Sequence, residues 1–228
     1  MIHDYEISKI VGKGEIFGDF AQHDRAKEIL ERIFERSTKL PDDCEYQRSF
    51  IWGAIRRNHS LSLAFRQAIE SKNGQMSLTL IRLNLDTVAR FYTLYWADGT
   101  IGMDAENFAK EVFLGKQIKD FQFQGAPGKA QDWWLINKIK PLAPWIENVY
   151  KSASGAIHFS DFHIRQVFDQ SERSLLDDGS LLMHHISMNP IDTSEDPERF
   201  RELKQAFLHI TLLLSCAADR RCEMLGGN

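Results

Sequence analysis

The stretch between Ser77 and Trp96 constrains the fold more than any other part of the sequence. Apolar side chains point in every direction around a helix built on it. They are Leu78, Leu80, Ile81, Leu83, Leu85, Val88, Ala89, Phe91, Tyr92, Leu94 and Tyr95. A helix that is apolar all round is buried all round, so other helices have to surround it. We therefore expect one central, packed helix that ends at the Asp98-Gly99 pair.

Helical spacing of apolar residues also dominates the rest of the chain. Further apolar stripes run through residues 29–34, 41–65, 129–139, 142–157 and 200–217, the last of them after a cap between Asp192 and Pro197. Residues 163–187 differ, because apolar runs there flank the polar turn Asp177-Asp178-Gly179, as in a β-hairpin. The sequence contains no internal repeat and no Gly/Ser-rich linker. It predicts a mainly α protein: a helical bundle with a small β-hairpin near residues 163–187, forming a single helical domain over residues 1–228.

Charge and cysteine content narrow the class of protein. The formal net charge is −4, which argues against a broad basic surface for nucleic acid but is compatible with a local basic pocket. Cys44, Cys216 and Cys222 are few, odd in number and widely spread, so we expect free thiols. The N-terminus has acids where a secretory signal has bases, and the apolar stretch from Phe207 to Ala218 is shorter than the ~20 residues that span a bilayer. These features predict a cytoplasmic protein without a membrane partner.

Three charged residues follow one another at helical spacing within the central segment. Arg82, Asp86 and Arg90 lie four residues apart, so their Cβ atoms are about 6 Å apart on one face of the helix. Buried charges are costly unless they are paired. One interpretation is therefore a self-satisfied Arg–Asp–Arg ladder that ties neighbouring helices together. The other is the floor of a cationic pocket that binds a phosphate or a carboxylate.

A basic tetrad stands on the preceding helix, at Arg56-Arg57-Asn58-His59. As part of a solvated helix face it needs no function. If the two helices are neighbours, however, the tetrad joins the face that carries Arg82 and Arg90.

A second polar group lies between Tyr150 and His163. If one helix runs through this segment, Tyr150, Ser154 and His158 stack on one face. A phenol, a hydroxyl and an imidazole beside the arginines suit general acid–base chemistry, and Ser154 and His163 are candidates for ligand contacts. The simpler interpretation is that these polar groups satisfy one another's hydrogen bonds.

The same region contains residue types that bind metals. His158, Asp161, His163, His184 and His185 would converge if the hairpin folded back. Their spacing matches neither a helical histidine pair nor a zinc-finger pattern. We therefore predict no metal site and no cofactor.

These motifs together resemble those of uncharacterised bacterial helical proteins related to the HEPN superfamily. The resemblance covers residues 41–165 and is carried by Arg82-x-x-x-Asp86, a glycine-containing connector and Tyr150-x-x-x-Ser154-Gly155-x-Ile157-His158-Phe-Ser. It implies a four-to-five-helix bundle, a homodimer and metal-independent cleavage of RNA. The superfamily's arginine four to six residues before a histidine is absent, since Arg56 is too close to His59 and no arginine stands at that distance before His158.

Three functions follow from these observations. The first is a bacterial binding or interaction module that forms homo-oligomers. The second is a HEPN-type ribonuclease of the toxin or abortive-infection kind, with His158 as acid and base, Arg82 or Arg90 stabilising charge and Tyr150 assisting. The third is a binder of a small anionic ligand held by Arg82 and Arg90, with Asp86 in the same site, and covered by the aromatic segment around Trp133 and Trp134. The first is favoured because buried ion pairs are often purely architectural.

Overall fold

The computed structural model describes residues 7–158, 160–169, 172–185 and 197–226. Helices dominate, which confirms the prediction of a mainly α protein. They are α1 (residues 7–10), α2 (Phe20–Ser37), α3 (Glu45–Glu70), α4 (Gly74–Phe91), α5 (Thr93–Asp98), α6 (Ala105–Phe113), α7 (Asp132–Ile139), α8 (Ile146–Ile157), α9 (Asp161–Asp169) and α10 (Pro197–Met224). Single 3-10 turns lie at Asp42–Cys44, Ile118–Asp120 and Lys140–Leu142.

Helix α4 is the central element that the apolar segment predicts. It packs against α3, α7, α8 and α10. Its buried apolar residues are Leu80, Ile81, Leu85, Val88, Ala89 and Phe91. The helix begins at a cap in which Asn73 Oδ1 accepts a hydrogen bond of 2.9 Å from the main-chain N–H of Met76.

The segment between Ser77 and Trp96 is two helices, not the single helix that its periodicity predicts. Helix α4 ends at Phe91 and α5 starts at Thr93. At the junction the Thr93 hydroxyl donates a hydrogen bond to the carbonyl of Arg90. A side chain that bonds a nearby carbonyl competes with the helical hydrogen-bond ladder and bends the chain.

A small polar network crosses the core between α3, α4 and α10. The Asn58 amide donates to Asn84 Oδ1 at 2.9 Å and to Thr211 Oγ1 at 3.1 Å. The Asn84 amide also donates to Thr211 Oγ1, at 3.2 Å. All three side chains are buried. Hydrogen bonds of this kind fix how the three helices lie against one another, because any slip leaves buried amide groups unpaired.

The chain between residues 150 and 185 departs from the prediction in two places. Helix α8 ends at Ile157, and His158 adopts extended backbone angles, so no helix carries Tyr150, Ser154 and His158 on one face. Residues 163–169 belong to α9. The hairpin lies later, where β1 (Glu172–Leu175) pairs antiparallel with β2 (Leu181–His185).

The turn of this hairpin is the predicted Asp177-Asp178-Gly179 sequence. Gly179 has a φ of +79°, which favours glycine, and Asp178 Oδ1 accepts a hydrogen bond of 2.8 Å from the main-chain N–H of Ser180. Residues 170, 171, 186 and 187 of the predicted hairpin range lie outside the described residues, as does the predicted cap from Asp192 to Asp196.

The three cysteines are free thiols, as predicted, with Cys44 and Cys222 buried and Cys216 partly buried. Within the described ranges, no helix is both long enough and apolar enough to cross a membrane.

Candidate functional site

The ladder on α4 is part of a larger group of charges, which we call the Asp86 cluster: Arg57, Arg82, Asp86, Arg90 and Asp132. Its best-formed contact is that of Arg90, whose Nε lies 2.9 Å from both carboxylate oxygens of Asp86. The Nη2 atom of Arg90 donates to Asp132 Oδ1 at 2.8 Å. Burial disfavours the charged form of Arg90, but Asp86 and Asp132 outweigh burial and raise the pKa of the guanidinium above its usual value.

Arg82 is the enclosed member of the cluster, with a side chain that is 9% exposed. Its Nη1 lies 3.9 Å from Asp86 Oδ1, and its Nη2 lies 3.9 Å from Asp132 Oδ2. The guanidinium carbon is 4.5 Å from the centre of the Tyr150 ring, a cation–π distance. The Nε atom is buried and has no hydrogen-bond partner. Arg82 is therefore held by surrounding charge and by the ring rather than by short hydrogen bonds.

Arg57 joins the cluster from α3, as the basic tetrad predicts for neighbouring helices. Its Nε donates to Thr87 Oγ1 at 3.0 Å. Its Nη2 lies 3.9 Å from Asp86 Oδ2, and the side chain is 48% exposed. Arg57 thus presents its guanidinium to solvent while it stays anchored on α4.

Asp132 was not identified from the sequence. It lies in the first turn of α7, where the helix dipole favours an acidic residue, and this position was the only signal for it. No spacing rule connects a residue on α7 to the ladder on α4, because their proximity depends on how the two helices pack. With Asp132, the cluster contains three guanidinium groups and two carboxylates, which leaves one positive charge unneutralised.

A groove of about 310 Å³ opens beside this cluster. It is lined by Phe50, Gly53, Ala54, Arg57, Asp86, Thr87, Arg90, Val112 and Ile118. The lining therefore combines apolar side chains with the two more exposed arginines of the cluster. A Cβ built on Gly53 would meet no atom within 4 Å, so a side chain introduced there would extend into open space.

The other residues proposed from the sequence have local roles. Ser154 Oγ donates to the Tyr150 carbonyl of its own helix at 2.6 Å. His163 Nδ1 accepts a hydrogen bond of 3.3 Å from the main-chain N–H of Ser160, which closes the first turn of α9. His158 is exposed, and no contact found among the described residues joins it to Arg82 or Arg90. The structure thus brings Tyr150 to the ladder but not Ser154 or His158.

The aromatic segment does not cover the ladder as the ligand-binding hypothesis predicts. Trp134 is buried and stacks on Phe123, with ring centres 5.8 Å apart. It also contacts the edge of Trp96. Trp133 is exposed. Trp134 is therefore part of the core. In this segment Asp132, which directly precedes Trp133, contacts Arg90.

Comparisons with known proteins do not identify a relative. The chain shows no significant match to a protein-family profile, a curated protein or a solved structure. In the part of the chain that the structure describes, no three histidine, cysteine, aspartate or glutamate residues lie close enough together to hold a metal ion. Functional inference therefore depends on the geometry of the Asp86 cluster and its groove.

Proposed function

We propose that this protein is a binding module and that the groove beside the Asp86 cluster takes a small anionic ligand. The observation that carries the proposal is the excess of positive charge. Two carboxylates, Asp86 and Asp132, pair with three arginines. Arg57, the most exposed of the three, lies on the groove wall. A carboxylate or phosphate placed there completes the charge balance and accepts hydrogen bonds from a planar guanidinium.

The groove also indicates what the anion is attached to. Phe50, Val112 and Ile118 line the groove together with the charged groups. Sites for small molecules combine an apolar lining with a few well-placed polar groups. The ligand class that fits is therefore a carboxylate or phosphate on a small apolar group.

The geometry supports binding over RNA cleavage. A metal-independent ribonuclease needs an acid–base group and a cation at one reacting phosphate. Here Arg82 is enclosed, and Arg90 is hydrogen-bonded to two carboxylates. Among the described residues, His158 contacts neither arginine. Homo-oligomerisation and a cytoplasmic location remain part of the proposal, and they rest on the sequence features that suggested them.

Calorimetric titration with benzoate and with benzamide tests the proposed site. The two molecules have nearly the same shape, but only benzoate is charged. We expect benzoate to bind at least about tenfold more tightly than benzamide, because the amide cannot form the charged, two-point hydrogen bonds of a carboxylate with the Arg57 guanidinium. Equal affinities for the two molecules would contradict the proposal.

Two variants locate the binding. Arg57→Gln removes the exposed guanidinium, and Gly53→Leu adds a side chain to the groove lining at a position where a Cβ meets no atom within 4 Å. Both should abolish the preference for benzoate. Arg56→Gln is the matched control, since Arg56 is an exposed neighbour that does not line the groove. Loss of binding in the control to the same degree would show that net charge, not the groove, is responsible.

A further inference from the structure

The cleft between α2 and α3 is a second cavity, larger than the groove at the Asp86 cluster. Its volume is about 520 Å³. It is lined by Phe20, His23, Asp24, Lys27, Glu31, His59, Ser60, Ser62, Leu63 and Arg66. None of these residues belongs to the Asp86 cluster, so the two sites can be altered separately.

His23 is a buried imidazole on the wall of this cleft, with 8% of its surface exposed. Its ring lies 6.1 Å from the rings of both Phe65 and Phe207. Burial, followed by the positive charge of Arg66, lowers the pKa of His23 to about 4. The ring is therefore neutral at neutral pH.

The second ring nitrogen of His23, Nε2, is buried and has no hydrogen-bond partner among the described residues. In a neutral imidazole one nitrogen donates and the other accepts. When Nδ1 carries the proton, Nε2 is an acceptor with an unused lone pair.

His59, on α3, repeats the arrangement. Its Nε2 is also buried without a hydrogen-bond partner, while the residue as a whole is half-buried. Burial lowers the pKa of His59 as well, more than the nearby Glu31 raises it. One cavity thus has two imidazoles whose Nε2 atoms are unsatisfied, where buried polar groups normally find partners.

The charged residues at the cleft are already paired with one another. Lys27 and Glu31 lie 3.4 Å apart, and Arg66 forms an ion pair with Asp24. The lining therefore contributes no net charge. Phe20 and the exposed Leu63 supply apolar surface. This environment suits an uncharged molecule with an apolar body, in contrast to the groove at the Asp86 cluster.

We propose that the α2–α3 cleft binds a neutral aromatic molecule that donates a hydrogen bond, through O–H or N–H, to an imidazole nitrogen of His23 or His59. A site built around unused acceptors rejects analogues that lack the donor, because the buried nitrogen then stays unpaired. Both Nε2 atoms are covered, so the ligand has to displace side chains of the cleft wall as it enters. A metal ion fits less well, since the described residues offer no third ligand of the usual kind.

The test uses 2-naphthol and 2-methoxynaphthalene, which share a ring system but differ in the hydrogen-bond donor. Binding is followed by the change in probe fluorescence and by the ¹⁵N resonances of the histidine rings. We expect 2-naphthol to bind about tenfold or more tightly than its methyl ether and to shift an Nε2 resonance of His23 or His59. Equal affinity for the two probes, or no binding of 2-naphthol, would overturn the proposal.

Variants separate this site from the anion groove. The preference for 2-naphthol should be lost in His23→Phe, in His59→Phe or in both, and the half-buried His59 keeps the test valid if the His23 variant does not fold. Arg57→Gln should leave naphthol binding unchanged while it weakens benzoate binding. A preference for 2-naphthol that survives both histidine changes would place its binding elsewhere and overturn the proposal, whatever the benzoate result.

Discussion

Arg90 Nε lies 2.9 Å from each carboxylate oxygen of Asp86, one helical turn before it on α4. This contact holds the charged face of a helix whose buried face forms the centre of the bundle. It also leaves Arg57, which approaches Asp86 only to 3.9 Å, as the arginine with capacity to bind something else. The stability of the bundle and the proposed anion site therefore depend on the same carboxylate.

Replacement of Asp86 by alanine should destabilise the protein by about 2–3 kcal/mol. Loss of one partner from a buried ion pair typically costs about 3–5 kcal/mol, because a charge is left uncompensated. The expected value is lower here since Arg90 is 31% exposed and keeps its contact with Asp132. Urea unfolding measures the difference. Asp120→Ala, which breaks an exposed pair with Lys129, is the control and should cost under about 1 kcal/mol.

The polar network in the core makes a second prediction about stability. Thr211→Val removes the hydroxyl that accepts hydrogen bonds from Asn58 and Asn84 but keeps the shape of the side chain. The Asn84 amide is then buried without its acceptor, so we expect a loss of about 1–3 kcal/mol in the free energy of unfolding. Thr38→Val, at an exposed position, should change it by less than about 0.5 kcal/mol. A neutral Thr211 variant would show that the network does not fix the packing of α3, α4 and α10.

The stability of the fold should fall as the pH drops from 7 to 5. The unfolded chain binds a proton at His23 near pH 6.5, whereas the folded protein does so only near pH 4. Folding thus excludes a proton between these values, and the stabilisation, complete above about pH 6.5, is lost towards pH 4. At about 1.4 kcal/mol per pKa unit, His23 alone lowers the free energy of unfolding by about 2 kcal/mol at pH 5. The lowered pKa of His59 acts in the same direction.

Chemical denaturation at the two pH values measures this dependence. In His23→Phe the difference between pH 7 and pH 5 should shrink by about 2 kcal/mol, because the group that excludes the proton is gone. Lys140 and Lys151 lower the pKa of Glu147 to about 2. This carboxylate therefore changes the free energy of unfolding only below about pH 4.5 and does not affect the comparison of pH 7 with pH 5. An unchanged pH dependence in the variant would mean that His23 is exposed to water.

An RNA-cleavage assay in EDTA separates the binding module from the ribonuclease. The binding module predicts that neither the wild-type protein nor His158→Ala cuts RNA of any type, because His158 and the arginines share no described contact. The HEPN resemblance predicts cleavage that is lost in the variant. RNA cleavage by the wild-type protein that is absent in His158→Ala would contradict the binding module and support the ribonuclease.

Helix α4 and the Asp86–Arg90 contact could be predicted from the sequence because both follow from helical periodicity. An apolar surface all round specifies burial, and a spacing of four residues specifies a shared face, whatever the rest of the chain does. The break at Tyr92 could not be found in this way, since it depends on the hydrogen bond from Thr93 to the Arg90 carbonyl. The spacing of Tyr150, Ser154 and His158 likewise predicted one shared helix face, but α8 ends before His158.

The rest of the cluster depends on tertiary packing. The sequence placed Arg57 near the ladder only on the condition that α3 and α4 are neighbours, and it did not identify Asp132. The positions of both residues depend on how α3 and α7 pack against α4. His23 did not stand out in the sequence at all. Its unsatisfied nitrogen becomes visible only when Phe65 and Phe207, from two other helices, enclose the ring.

A crystal structure of the protein with benzoate tests the central claim most directly. The proposal predicts that the carboxylate lies within hydrogen-bond distance of the Arg57 guanidinium and that the ring contacts Phe50, Val112 or Ile118. The Arg90 contact with Asp86 should be retained. Benzoate bound elsewhere, or an empty groove at a concentration that saturates binding in solution, would contradict the assignment of the Asp86 cluster as an anion site.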